Sequence, residues 1–361
     1  MQKKYFLVII PWLEDGGSEH LLYDVMTEFI KKYRIIIVLT EKSNNPLFSK
    51  FEKLTNCILD FSSLKNPKEF GKNISALIKL LSIEIILTSN SQISYEASEY
   101  FKGTVPIRRY DILHNNSQEG HIKKAISTSK HITKHIVVDS HIKSSLLSSK
   151  VDKKKIVDIN NAVSPNLFFK LDRLAIGEKK KELKIKENYF VLGFIGRASH
   201  EKRPLLFLQE FYKLSKIKRV HAIILSSGPL EKLMLKYIKN KKIEKNITWL
   251  KPTCRENLVY IYNVLDILVN SSYIEGQPLT LIEAHMCGIP FLSFNVGGIS
   301  KMTDGKDSLL LSKDESLFKK LSEICDDPKI VCKMKKELLL NFRTKKLAYA
   351  TMISKYKKAL I

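Results

Sequence analysis

Two glutamates, Glu275 and Glu283, stand with seven residues between them in the segment EGQPLTLIEAHMCGIP. Pro278 suits the first position of a helix, where a missing N–H costs nothing. LTLIEAHMC then reads as the helix, stopped by Gly288 and Pro290. This places Glu275 just before a helix N-terminus and Glu283 on its second turn. Unpaired N–H groups at such an end favour phosphate. An acid on either side of a phosphate site can hold sugar hydroxyls: one the donated sugar, the other a ribose. Glu275, Gly276, Gln277, Pro278, Leu279 and Glu283 are therefore candidates for holding a nucleotide-sugar.

A second segment, GFIGRASHEKRPLLFLQEF, supplies cations. A buried strand ends at Gly196, Arg197 and Lys202 flank a short loop, and Pro204 opens the next helix. Two cations beyond the carboxyl end of a strand are placed to neutralise a diphosphate. In the first half, Gly16-Gly17 directly follow the first strand, in a place where most glycine pairs form a turn. His114 ends the run RRYDILH, after an apolar strand of the first half. The neighbouring Arg108 and Arg109 meet either an anionic acceptor or water.

These residues need a scaffold that repeats strand, loop and helix. YFLVII (5–10) is a continuous apolar run of the kind found in buried parallel strands. SEHLLYDVMTEFIKKY follows with Leu21, Leu22, Val25, Met26, Phe29 and Ile30 at helical spacing. Strands are expected at 34–40, 83–89, near 105–109 and at 135–140, with helices at 67–81 and 119–130. A second series runs through strands 189–196, 219–226, 246–250, 267–272 and 290–295, with helices at 204–216, 229–240 and 255–263. The chain is helical from 314. Alternation of this kind implies parallel sheets covered by helices on both faces. Between the two series, 171–188 carries a charge run and no strand and reads as a linker.

The E-x7-E segment, with its EGxPL opening and the following Gly297-Gly298, resembles the motif of the retaining glycosyltransferases of family 4. Arg197 and Lys202 match the family's R-x4-K pair. Gly16-Gly17 resembles its N-terminal glycine-rich loop, and His114 lies where the family often has a histidine facing the transferred sugar. LSSGPLEKL carries Ser226 where glycine is usual, and NNAVSPNLF carries Ala162 where glycine is usual. GGISKMTDGKDSLLL carries Lys301 where an acid is usual, which bears on donor choice and activity. The resemblance is clear over 189–312 and loose over 1–170. It implies an α/β, GT-B fold: two Rossmann-like domains facing a central cleft. Residues 1–170 would be the acceptor domain and 189–340 the nucleotide-sugar domain. Residues 341–361 would form a helix packing back towards the N-terminal domain. It further implies transfer of a hexose-type sugar with retention, from a nucleoside-diphosphate donor to a surface-glycan or lipid-linked acceptor. Arg197, Lys202, Glu275 and His114 would be catalytic. The GT-A-type DxD motif is absent from the chain, so no metal and no cofactor are expected, with the cations and helix dipole in the metal's place.

Composition narrows the partners. With 361 residues and 44% hydrophobic content the chain can build two cores. Five scattered cysteines form no CxxC, which argues against a disulfide framework and for a cytosolic setting. The apolar start lacks a cleavage site and runs into Glu14 and Asp15, so it reads as a strand rather than a signal peptide. Lys and Arg total 61 against 37 Asp and Glu, a net charge of +24. Such an excess implies anionic partners. An anionic membrane surface, bound peripherally at its inner face, is one; solvated lysine-rich helix faces are the alternative. No nucleic-acid motif accompanies the charge, so nucleic acid is not an expected partner. His131, His135 and His141 do not share one helical face, which argues against a metal site. Three other readings stay open: a sugar-nucleotide epimerase or hydrolase of similar fold, a non-catalytic glycan-binding protein, and a nucleic-acid-binding protein resting on charge alone.

Overall fold

The computed structural model describes residues 3–55, 57–114 and 121–361. The chain divides into two compact units, residues 1–161 with 350–361, and residues 162–349.

The first unit holds seven strands: β1 (Lys4–Ile10), β2 (Tyr33–Leu39), β3 (Cys57–Asp60), β4 (Ile85–Ser89), β5 (Arg108–Leu113), β6 (Lys134–Val137) and β7 (Ile156–Asp158). All pair parallel, in the order β3-β2-β1-β4-β5-β6-β7. The last five residues of both β1 and β2 are buried, as a sheet covered on both faces requires. Helix Pro67–Leu81 lays Phe70, Ile74 and Ile78 onto Leu7, Ile9 and Ile86. Its start follows the sequence signals: Asn66 accepts from the N–H groups of Lys68 and Glu69, and Pro67 opens the first turn.

Several boundaries differ from those expected, each for a local reason. The strand expected near 105–109 begins at Arg108, because Pro106 has no N–H to give a ladder. The strand expected at 135–140 stops at Val137. Asp139 then caps a helix that the sequence did not suggest, Ser140–Ser148, accepting from His141 N at 2.7 Å and Ile142 N at 2.9 Å. The helix expected at 119–130 is described from His121 to Ser127; residues 119 and 120 lie outside the described residues. Residues 350–361, the end of helix Phe342–Leu360, belong to this unit. Arg108 donates to the carbonyl of Ile361 at 2.7 Å, and Lys357 pairs with Glu28 at 2.9 Å.

The second unit holds β8 (Phe190–Ile195), β9 (Val220–Leu225), β10 (Ile247–Leu250), β11 (Ile267–Asn270), β12 (Phe291–Phe294) and β13 (Leu309–Leu311). They pair parallel in the order β10-β9-β8-β11-β12-β13. Leu192, Phe194, Phe207, Phe211 and Ile224 centre its core. Residues 171–188, read from sequence as a linker, lie inside this unit. Asp172 caps helix Arg173–Glu182, which packs against helix Arg255–Asn263. Strand order reverses between β1 and β4 in one sheet and between β8 and β11 in the other. Open α/β sheets bind ligands beyond the carboxyl ends of strands at such points.

Candidate active site

At the reversal in the second sheet, the loop after β8 carries Gly196, Arg197 and Lys202, and the loop after β11 carries Glu275 to Pro278. The structure brings Lys202 and Glu275 together. Lys202 Nζ lies 2.7 Å from Glu275 Oε1 and 2.8 Å from Oε2. The Glu275 side chain is 7% exposed and that of Lys202 27%. Ser272 Oγ also donates to Glu275 Oε1, at 2.7 Å. The backbone ties the two loops: Tyr273 N donates to Glu201 O at 3.0 Å. The pair borders a small pocket whose wall includes Gly196, Asn270 and Thr280. Helix Leu279–Met286 starts there. Pro278 is its N-cap rather than its first residue, and gives no side-chain cap to the leading N–H groups. Gln277 and Leu279 are buried beside it.

Arg197 is exposed, its stem crossing the Gly228 turn: a Cβ built on Gly228 would lie 3.1 Å from Arg197 Cγ. Ser226, where the family usually has glycine, donates to Gly196 O at 2.7 Å and so fixes that loop. Gly298 N donates to Gly276 O at 2.7 Å, docking the Gly297-Gly298 turn on the Glu275 loop. Gly297 has φ +56°, and a Cβ there would come within 1.9 Å of Glu275 O. No side chain fits without moving that backbone. Gly297→Ala is expected to lower stability by about 2–4 kcal/mol, since it adds an overpacked atom to a left-handed residue. Denaturant unfolding checks this; a midpoint equal to the parent's would show that the turn is not packed on Glu275 as described. Lys301 ends this turn and is exposed.

Glu283 stands apart from that pocket wall. On the second turn of its helix, as the sequence indicated, it is buried against helix Arg255–Asn263. Tyr262 Oη donates to Glu283 Oε2 at 2.7 Å, and Arg255 Nε lies 3.4 Å from Oε1. Arg255 is itself buried, its guanidinium 5.3 Å from the Phe168 ring centroid. Burial, and after it the Glu283 charge, push the Tyr262 hydroxyl well above its ordinary pKa, so it stays protonated and donates. A carboxylate expected to reach out to a ribose is thus already paired within the core.

The remaining candidates belong to the first unit. Gly16 is the N-cap of helix Gly17–Phe29, which Gly17 opens, at the carboxyl end of β1. A Cβ on Gly16 would lie 2.4 Å from Glu19 Oε2. Glu19, unnoticed in the sequence, folds back there, buried, and burial raises its pKa. His114 follows β5, its Nε2 2.9 Å from Ser89 Oγ at the end of β4. Desolvation, with His121 adding to it, lowers the His114 pKa to about 3, so the ring is neutral at physiological pH. Gly16, Gly17, Ser89 and His114 thus share the carboxyl edge of adjacent strands. Arg108 and Arg109 do not wait for an acceptor. Arg108 holds Ile361 O, and Arg109 donates to Ser98 O and Phe101 O. Of the three histidines read against a metal site, His135 is buried between Asp111 and Ser129, at 2.9 and 2.8 Å, and His141 is exposed. Among the described residues no group of three His, Cys, Asp or Glu is arranged to hold a metal ion, and no helix is long and apolar enough to cross a membrane.

The chain is similar to known proteins in sequence and in fold. Residues 175–338 match the family described as glycosyl transferases group 1. Alpha-monoglucosyldiacylglycerol synthase of Acholeplasma laidlawii is 30% identical over 156 residues, 42% of this chain and 39% of that enzyme. N-acetyl-alpha-D-glucosaminyl L-malate synthase of Bacillus anthracis is 26% identical over 186 residues, 47% of this chain and 48% of that enzyme. The chain thus aligns with less than half the length of these curated relatives. In structure, the Anabaena protein HepE in complex with UDP-glucose superposes with a TM-score of 0.81 at 14% identity, covering 99% of both chains. The fold is that of the GT-B glycosyltransferases, and by the match over 175–338 and the E-x7-E and R-x4-K residues within it, the chain resembles retaining glycosyltransferase family 4.

Proposed function

We propose that this protein is a retaining glycosyltransferase that moves a hexose-type sugar from a nucleoside-diphosphate donor to a glycan or lipid-linked acceptor. The observation that carries the reading is the Lys202–Glu275 pair on the pocket at the strand-order reversal of the second sheet. Lys202, with Arg197 and the leading N–H groups of helix Leu279–Met286, would stabilise the departing diphosphate as its charge develops. Glu275 would hold a hydroxyl of the transferred sugar. Glu283 would take the ribose, which requires it to exchange a present partner for the ligand. Gly16, Gly17 and the neutral His114 would serve the acceptor and the transferred sugar. The bond from the anomeric carbon to the diphosphate breaks, and the acceptor oxygen bonds that carbon on the same face. The acceptor's proton passes to the departing phosphate oxygen. The cations and helix N–H groups do the work a divalent metal would otherwise do.

HepE, solved with UDP and with UDP-glucose, supports a uridine donor as the first to try. The name of the Acholeplasma relative supports a lipid-linked acceptor. A thermal-shift panel of UDP-, GDP- and ADP-sugars tests the donor. A true donor raises stability by about 2.7 kcal/mol at a hundredfold excess over its Kd. Transfer to an acceptor should survive EDTA. No stabilisation by any of the panel would refute the reading, as would rapid consumption of donor alone, which is the behaviour of an epimerase or hydrolase. Loss of transfer in EDTA with recovery in manganese would refute the metal-free site.

The net charge of +24 supports attachment to an anionic membrane surface. The purified protein is expected to sediment with anionic vesicles at low salt and to release as salt rises. The Debye length falls from about 30 Å at 0.01 M to about 10 Å at 0.1 M, so release should be steep. Equal recovery with neutral and anionic vesicles at low salt would remove the membrane from the reading.

A further inference from the structure

Arg203, next to Lys202, has no part in the reading above, yet more bonds converge on it than on either member of the pair. It is the N-cap of helix Pro204–Ser215 with φ +46° and ψ +51°, a left-handed conformation uncommon for a residue with a side chain. Its guanidinium crosses to the other loop. Nε donates to Ser271 O, Nη2 donates to Ser272 O at 3.2 Å, and the group lies 4.4 Å over the Phe294 ring. Ser271 answers with its hydroxyl, shared between Lys202 O at 2.8 Å and Arg203 O at 3.0 Å. The next residue, Ser272, is the one that donates to Glu275. Rigid bonds therefore run from one guanidinium to the backbone of Lys202 on one side and to the carboxylate of Glu275 on the other. A helix cap alone would need none of the contacts to Ser271 and Ser272. A planar fork suits two successive carbonyls, which a single ammonium does not span.

We propose that Arg203 is a positioning residue, whose guanidinium locks residues 201–203 onto 271–275 and so sets the Lys202–Glu275 pair against the diphosphate of the donor. This rests on the functional reading above. Arg203→Gly separates the two roles, because glycine accepts the left-handed backbone and lacks the guanidinium. Arg203→Lys keeps the charge and loses the fork. Titration calorimetry with UDP is expected to show both variants binding on the order of tenfold more weakly than the parent, the size of coupling usual between residues of one network. In a Lys202→Met background the same changes should have almost no further effect, because the group they position is gone. Melting midpoints identify a variant that fails to fold; Arg203→Lys then carries the test. UDP affinity in Arg203→Gly or Arg203→Lys equal to the parent's overturns the inference. So does an undiminished loss in the Lys202→Met background, which would mean a general structural role. A parent chain that binds no UDP overturns the uridine-donor reading, and this inference with it.

Discussion

Replacing Lys202 by methionine is expected to lower turnover about a hundredfold, the usual consequence of removing one fixed donor from a developing charge. Methionine keeps most of the side chain's apolar length, so packing against the pocket is largely retained. What is lost is the ammonium, which spans both oxygens of Glu275. In the donor complex that ammonium would be shared between the carboxylate and the diphosphate. Its contribution grows as the leaving group gains charge, so kcat should fall more than the KM for donor rises. Arg197→Ala should act in the same direction. It comes from the same loop but is exposed, and its stem lies on the Gly228 turn. Steady-state kinetics with a fixed acceptor decides the matter. Turnover equal to the parent's in both variants would remove the cations from the catalytic assignment.

The parts of the site that could be read from sequence are those specified by short stretches of chain. The β8 run, the Pro204 start and the Gly288 stop are local signals, and each element forms within a residue or two of its expected place. The same holds for Glu283, which helix geometry puts on the second turn, whereas Glu275 lies in the loop before that helix and is held by Lys202 and Ser272. What escaped was decided by contacts across the sheet. Strands β3 and β7 are short, partly exposed edges with only two or three apolar residues in a row, and their pairing depends on β2 and β6. Arg203 carries no sequence signal that sets it apart from the cations beside it. Only its contacts with residues 68 and 69 positions away distinguish it from Lys202. Arg255 and Tyr262 carry no motif, and their partnership with Glu283 spans 28 and 21 positions. A buried arginine beside a buried tyrosine is unremarkable in a sequence until the acid between them is located.

That partnership separates the two glutamates by experiment. Glu283→Gln is expected to cost about 3–5 kcal/mol of stability, the usual consequence of breaking a buried charge pair from one side. Arg255 would lose the Glu283 carboxylate from a buried site, while Tyr262 could still donate to the amide oxygen. Arg255→Met in the same chain should recover part of the loss, because it removes the buried charge that the Glu283 carboxylate had balanced. Glu275→Gln should be milder in stability, since Lys202 is about a quarter exposed and water can take over its ammonium. Its effect should fall on the ligand instead. With Glu275 holding the sugar, the glutamine variant binds UDP as the parent does and loses about 1.5–3 kcal/mol of affinity for the sugar nucleotide. Glu283→Gln should weaken both ligands alike if its carboxylate also takes the ribose. Denaturant unfolding and calorimetry on the two variants provide both measurements. Equal stabilities would contradict the buried Arg255–Glu283–Tyr262 cluster. Equal losses for UDP and UDP-sugar in Glu275→Gln would contradict the sugar-binding role of the acid that Lys202 holds in place.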